Sequence, residues 1–402
     1  MKNFKNYEED IYKCSRCGLC QYVCPVYKAT LNECAVSKGK FNILNGIIKG
    51  DLSFNKNVKK HLDCCTNCNA CKDFCPSSID AKSIFIAAKA EYYNNCKINF
   101  FEKITTSYLF FKTILIGVSI TSKIYRLLGL KNLIKPIKNT IVKTEVGKRL
   151  LLADYILGKA KIEKAKKQKS LSQKAIYFEG CFNKYITPET KNAVEKLFEK
   201  QNIKLIKQNT ECCGVSYLND GNIKEFKKVI KKNLKKLNHN CDYIITDCAS
   251  CSETLKKYKD YYKNEYAEKI NTKTKSVLEF IQENEYKAKK NFRIAIHKPC
   301  HENFDIRNFV LNNIKNIEYI EPENYESCCG FSGTFALKNS GISKEISKNK
   351  ALSYIKENVE IILTTCPACQ IGLEQGILET NNTNKPVVMN LFVFLAKYCL
   401  ED

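Results

Sequence analysis

The sequence predicts an α+β chain of several domains, a helical module at the N-terminus followed by two tandem copies of one α/β unit. Three observations predict it. The chain has 402 residues, more than a single hydrophobic core usually serves. Its 23 cysteines are clustered, and two four-cysteine runs stand near the N-terminus. In the C-terminal half a larger cysteine pattern occurs twice, at a nearly fixed interval.

The first run is Cys14, Cys17, Cys20 and Cys24, followed by Pro25, and the second is Cys65, Cys68, Cys71 and Cys75, followed by Pro76. Three cysteines at intervals of three, a fourth after three more residues and then a proline make the spacing of bacterial two-cluster ferredoxins. A tight loop brings three sulfurs to three irons of one cubane, and the fourth points elsewhere and completes the other cluster. Cys14, Cys17, Cys20 and Cys75 are therefore expected on one 4Fe-4S cluster, and Cys65, Cys68, Cys71 and Cys24 on a second. The proline fixes the direction in which the chain leaves the loop. Zinc fits less well, since it takes four ligands, commonly as two Cys-x-x-Cys pairs, and has no use for three evenly spaced cysteines. The segments "GKFNILNGIIKG" and "NKNVKKHLD" between the runs have helical composition, so residues 1–99 are read as a helical two-cluster ferredoxin domain. Cys64 is out of register.

Residues 100–170 are read as a helical linker. Within them "SYLFFKTILIGVSITSKIYRLLGL", residues 107–130, is interrupted by Lys112, Lys123 and Arg126 and falls short of the uncharged run a membrane span needs. Followed by Lys131, Lys135, Lys138 and Lys143, it suits a membrane surface or a partner subunit, or equally a helix packed on its own domains.

The repeated units are expected over residues 171–287 and 288–402. "AIYFEGC" ends in Cys181, "ECCGVS" carries Cys212, Cys213 and Gly214, and "YIITDCASC" ends in Cys248 and Cys251. In the second copy "RIAIHKPC" ends in Cys300, "SCCGFSG" carries Cys328, Cys329 and Gly330, and "IILTTCPAC" ends in Cys366 and Cys369. The apolar, β-branched runs before these cysteines read as buried strands, while "PETKNAVEKLFEKQ" and "SKEISKNKALSYIKEN" read as amphipathic helices. Strands alternating with helices make a parallel sheet, whose sites lie at the carboxyl ends of the strands. Each glycine permits the tight turn that lets adjacent sulfurs face one site. Five thiolates per copy exceed what a cubane or zinc requires. The spare sulfur leaves open a free thiol, a redox pair or a cluster that is not a simple cubane. His297 and His301 flank Cys300, either as packed side chains or as groups that hydrogen-bond the site or carry a proton.

Met1 to Asp10 is charged and has no apolar segment, so a reducing, cytoplasmic setting is expected, in which cysteines are metal ligands or redox groups before they are disulfides. The formal charge of +24 attracts nucleic acid or anionic membranes in general. Here the lysines are spread along helices amid many asparagines and isoleucines, and thiolate ligands would offset them, so no nucleic-acid partner is expected. Cys34, Cys64, Cys96, Cys241 and Cys399 fall outside the patterns and are expected to be free buried thiols.

Taken together, Cys-x-x-Cys-Gly-x-Cys from Cys14 to Cys20, "GKFNILNGIIKGDL", "HLDCCTNCNACKDFCPS" and the two Cys-Cys-Gly units resemble the iron-sulfur subunit of glycolate oxidase. The layout is similar to that of the membrane-associated subunit of anaerobic glycerol-3-phosphate dehydrogenase and of the catalytic subunits of heterodisulfide reductase. The resemblance implies cysteine-rich CCG domains, no organic substrate site on this chain, and a partner FAD subunit that oxidises a 2-hydroxy acid such as glycolate or lactate. Electrons would pass to quinone, with the subunit in the cytoplasm or peripheral on the inner face of the cytoplasmic membrane. It also implies that all five cysteines of a complete copy hold a noncubane 4Fe-4S cluster: Cys181, Cys212, Cys213, Cys248 and Cys251 in the first, Cys300, Cys328, Cys329, Cys366 and Cys369 in the second. Glycolate oxidase subunits often lack part of that set, whereas this chain keeps all ten. The full set favours cluster binding, and the alternatives are a heterodisulfide or thiol reductase-type catalytic subunit or the membrane-associated subunit of an anaerobic glycerol-3-phosphate dehydrogenase. No glycine-rich dinucleotide fingerprint occurs, and no catalytic residue for substrate oxidation is identified.

Overall fold

The computed structural model describes residues 4–96, 106–127, 144–157, 173–199, 201, 203–237, 240–382 and 385–400. The N-terminal part is helical. Helices Ser37–Lys49, Lys56–Asp63 and Ala81–Asn95 enclose a core of Phe41, Leu44, Leu62, Ile84 and Phe85, and the first two are the segments whose composition predicted helix. Both cysteine runs wind the same way. Arg16 and Asn67 take positive φ, as do Gly18 and Asn69, and short helices Leu19–Val23 and Ala70–Asp73 follow.

The remainder forms two four-stranded parallel sheets. The first pairs β1 (Gln173–Tyr177), β2 (Ile203–Lys207), β3 (Tyr243–Thr246) and β4 (Thr274–Ser276) in the order β2-β1-β3-β4. The second pairs β5 (Tyr286–Ile296), β6 (Ile314–Tyr319), β7 (Ile361–Thr364) and β8 (Val387–Asn390) in the matching order β6-β5-β7-β8. Identical order and direction show the duplication in three dimensions. The β1, β3, β5 and β7 runs were legible as apolar segments. The outer strands were not, because "IKLIK" and "IKNIEY" are half solvated and interleaved with lysine.

The two units share a core. Tyr177 and Ile245 of the first sheet, Ile296 and Leu363 of the second, and Leu391 and Phe394 of helix Leu391–Tyr398 belong to one buried cluster. Helix Ala81–Asn95 clamps the helical module to the first unit. Lys89 donates from Nζ to the Asn219 carbonyl at 3.0 Å, and a Cβ added at Gly221 would stand 2.5 Å from that of Lys89.

Helix Tyr108–Leu127 contains most of the apolar segment after the helical module. Leu115 is buried against Ile186 and Ile371, and Lys112 pairs with Glu211 at 3.0 Å. Leu109, Ile116, Ile120 and Ile124 on its other side are exposed. Among the described residues no helix is long and apolar enough to cross a membrane. Lys131, Lys135, Lys138 and Lys143 lie outside the described residues.

Candidate metal centres

The two N-terminal runs interleave. Cys75 lines one small cavity with Cys14, Cys17 and Cys20, and Cys24 lines a second with Cys65, Cys68 and Cys71. Each run thus places its fourth cysteine beside the first three of the other run. Cys71 also borders the first cavity, so the two sites adjoin. Cys17 is exposed. Burial pushes the Cys24 thiol up to about 12 and Cys71 higher still, so these sulfurs become good thiolate donors only when a cation offsets the cost.

In the α/β units the strand ends deliver the sulfurs. Cys181 opens helix Cys181–Tyr185 beyond β1, and Cys248 and Cys366 cap helices Ala249–Lys256 and Pro367–Glu379 beyond β3 and β7. A helix N-terminus favours thiolate. Gly214 and Gly330 both have positive φ, and a Cβ there would stand 2.7 Å from the Phe226 ring and 2.9 Å from Ile346. Each glycine also donates its amide N–H at 3.4 Å, to Cys212 Sγ and Cys328 Sγ respectively. The glycine thus permits the turn and feeds a hydrogen bond to the sulfur behind it.

All ten cysteines line one cavity of about 250 Å³ between the two units, together with Phe110, Ile114, Phe331 and His301. Their side chains form an unbroken series of contacts. Cys181 meets Cys212 at 3.4 Å, followed by Cys213, Cys251 and Cys248. Cys248 faces Cys366 of the other copy across the cavity, and the series continues through Cys369 and Cys329 to Cys328 and Cys300. At the far end Cys300 and Cys328 both meet Cys68 of the helical module. Sequence reasoning gave the two sets but not their convergence, because the contacts depend on how the units dock.

This donor set suits an iron-sulfur centre. Cys251 and Cys300 are held well above the ordinary thiol range, first by hydrogen bonds to Cys213 and Cys328 and then by burial. Cys329 and Cys366 are pulled down by their bonds to Cys328 and Cys248. So many crowded, buried sulfurs cannot all ionise without a polynuclear cation among them.

The histidines differ. His301 Nδ1 is 3.0 Å from Ser250 Oγ and 3.5 Å from Glu253, and its Nε2 is 3.5 Å from the Asn67 carbonyl. It therefore joins all three parts of the chain, and burial first, then Lys82, push its basicity down. His297 is fully buried, neither ring nitrogen has a hydrogen-bond partner among the described residues, and it faces Cys329 and Cys369. Of the five cysteines outside the patterns only Cys241 is buried. Cys34 is exposed and Cys64, Cys96 and Cys399 are partly covered, which corrects the expectation that all five are buried.

Comparison with known proteins agrees with this geometry. The family described as 4Fe-4S dicluster domain matches residues 10–79, and the family described as cysteine-rich domain matches residues 175–256 and 294–374. The chain is a 4Fe-4S dicluster protein with two cysteine-rich CCG domains. It is 22% identical to the probable glycolate oxidase iron-sulfur subunit of Bacillus subtilis over 92% of this chain and 90% of that one. It is 28% identical to one subunit of the fumarate reductase (CoM/CoB) of Methanothermobacter marburgensis over 56% of this chain, a match that spans 46% of the relative. Lactate utilization protein A of Macrococcus caseolyticus is 28% identical over 40% of this chain and 72% of its own. The dicluster domain carries 4Fe-4S clusters, and the relatives give the chain a redox role.

Proposed function

We propose that the protein is the iron-sulfur electron-transfer subunit of a flavin-dependent complex oxidising a 2-hydroxy acid, glycolate or lactate, and that it relays electrons from a partner FAD subunit to quinone. It works in the cytoplasm, peripheral on the inner face of the membrane. The observation that carries this reading is the adjacency of the two sites: Cys68 of the second dicluster cavity interacts with Cys300 and Cys328, and Thr66 lines both that cavity and the ten-cysteine one.

In this reading Cys14, Cys17, Cys20 and Cys75 hold one cubane and Cys24, Cys65, Cys68 and Cys71 the other. Each five-cysteine set holds a further, noncubane 4Fe-4S cluster. Such clusters supply one-electron chemistry at potentials set by charge, hydrogen bonds and solvent exposure. What the chain adds is order and access. Exposed Cys17 lies in the same N-terminal run as the exposed apolar side chains Leu19 and Tyr22, and the Tyr22 ring stands 6.4 Å from that of exposed Phe74. That face suits a flavoprotein. At the opposite end of the series, the exposed stripe of Leu109, Ile116, Ile120 and Ile124 suits a membrane surface.

A second reading is favoured by the shared cavity. Two complete cysteine sets facing one cavity suit a heterodisulfide or thiol reductase, and the relative from a CoM/CoB enzyme points the same way. An anaerobic assay of the complex with its copurifying partner separates the two. Glycolate- or lactate-dependent reduction of a quinone analogue supports the relay. Reoxidation of the reduced protein by an organic disulfide, with no response to either acid, would replace it with the reductase.

A further inference from the structure

The two CCG copies are not equivalent where they meet their cysteines. Phe178 and His297 occupy the same place, three residues before Cys181 and Cys300. Each donates its amide N–H at 2.8 Å to the middle strand of its own sheet, Phe178 to Ile245 and His297 to Leu363, and each is fully buried. The first copy therefore puts an inert ring where the second puts an imidazole. A ring nitrogen of His297 and the sulfurs of Cys329 and Cys369 lie within 4.8 Å of one another, and among the described residues neither nitrogen has another partner.

A second difference points the same way. Phe226 and Val229 meet Gly214 as Ser343 and Ile346 meet Gly330, which sets Lys350 where the first copy has Asn233. Asn233 is neutral, donating to the Cys212 carbonyl at 2.9 Å and accepting from the Glu211 amide. Lys350 is a buried amine, 4% exposed, that donates to the Asn324 carbonyl at 2.6 Å and feels Cys329, Cys300, Cys328 and Cys369.

We propose that His297 donates an N–H hydrogen bond to the sulfurs of the second-copy centre and that, together with Lys350, it makes this centre the higher-potential member of the pair. The inference rests on the reading that both five-cysteine sets hold clusters. An imidazole donor and a buried amine beside a thiolate-bound centre favour its more negative, reduced form and so raise its potential. The second copy is also the one that touches Cys68. An electron arriving from the dicluster domain thus meets the better acceptor first, and the first-copy centre is reduced only under stronger driving force. His297 and Lys350 are positioning residues.

The test is an EPR-monitored redox titration of the anaerobically purified full-length protein, with Cys213→Ser and Cys329→Ser used to assign the signals to each copy. Two potentials are expected, the higher belonging to the second copy. With ¹⁵N-labelled histidine, pulsed EPR should show a nitrogen coupling on that centre that His297→Phe removes. The same variant should lower the higher potential towards the other at unchanged iron content, and Phe178→His should raise the lower one. Should His297→Phe fail to retain its centre, Phe178→His and Lys350→Gln decide the matter, and potentials unmoved by both overturn the proposal. Full iron with equal potentials overturns it alone. An iron content of about eight, the dicluster share only, overturns the cluster reading beneath it.

Discussion

Asp220 holds the three parts of the chain together, and removing its charge should loosen them by a predictable amount. It ends helix Val215–Asp220 of the first CCG unit and is buried. It accepts from Tyr93 Oη of the dicluster domain at 2.9 Å, and from the ammonium of Lys338 in the second unit. Lys338 also reaches Asp63 at 3.1 Å. Against the penalty of burial, Lys338, Lys59 and Lys89 hold the Asp220 carboxyl at about 2, below its ordinary 3.8. That difference corresponds to about 2.5 kcal/mol of stability at neutral pH, and leaving buried cations without their anion raises the loss towards roughly 5. Asp220→Asn should therefore lose about 2.5 to 5 kcal/mol in anaerobic urea titrations at pH 7. The sign with pH follows from a depressed carboxylate. Its contribution is complete above about 4 and is lost as pH falls through about 2, so the gap between wild type and variant should be the same at pH 7 and pH 5. A variant within about 0.5 kcal/mol of wild type would refute the reasoning, as would a gap that shrinks between those two pH values.

Further predictions concern the metal and its surroundings. Anaerobically purified protein should be brown with about sixteen irons, about four per centre, and a colourless, zinc-loaded protein would end the cluster reading. Cys17→Ser should remove about four of those irons and abolish electron flow from the flavin partner, measured as substrate-dependent dye reduction. Gly214→Ala places a Cβ 2.7 Å from the Phe226 ring at φ +90°. It should cost about 1–3 kcal/mol and deplete iron from the first copy, whereas Gly50→Ala, with open space around it, should show only the backbone strain and keep its iron. Vesicle binding that survives high salt would assign membrane contact to the apolar stripe of helix Tyr108–Leu127, and binding lost at high salt would assign it to lysines.

Much of the site was legible because cysteine spacing is a statement about geometry. Three thiols at intervals of three can serve one compact core only from a tight loop, so the dicluster pattern could be read before any fold was known. The duplication was legible for the same reason, and it located four of the eight strands through their apolar runs. The remaining four, β2, β4, β6 and β8, all lie at sheet edges, where strands can be short and lysine is tolerated, as in β2, β4 and β6. Also illegible was the meeting of Cys248 with Cys366 and of Cys68 with Cys300. Those contacts arise from docking of whole units through Asp220, Lys89 and the shared core, and local periodicity carries no record of them. His297 is intermediate. Its place beside Cys300 was visible, but its two unpartnered nitrogens and its exchange for Phe178 emerge only when the two sheets are compared.

The excess of lysine takes on a different meaning once the chain is folded. Lysine is almost never fully buried unless paired, yet Lys40, Lys59, Lys82, Lys89 and Lys350 are all 6% exposed or less. Four of them act on cysteines: Lys40 on Cys24, Lys89 on Cys65, Lys82 on Cys300 and Lys350 on Cys329. Lys40 donates to the Ala35 and Cys64 carbonyls beside the second cavity, and Lys82 pairs with Glu253, which His301 also approaches. Carboxylates offset part of the cost of burial, since Lys59 and Lys89 pair with Asp63 and Lys82 with Glu253. Lys40 and Lys350 instead donate to backbone carbonyls, and a buried cation gains little from such dipoles or from neutral thiols. It is well placed beside thiolates that carry net negative charge through a metal core, where each favours the other's ionised form. Buried lysines of this kind, Lys40 and Lys350 above all, are better explained by the cysteines and carboxylates they face than as a surface for nucleic acid.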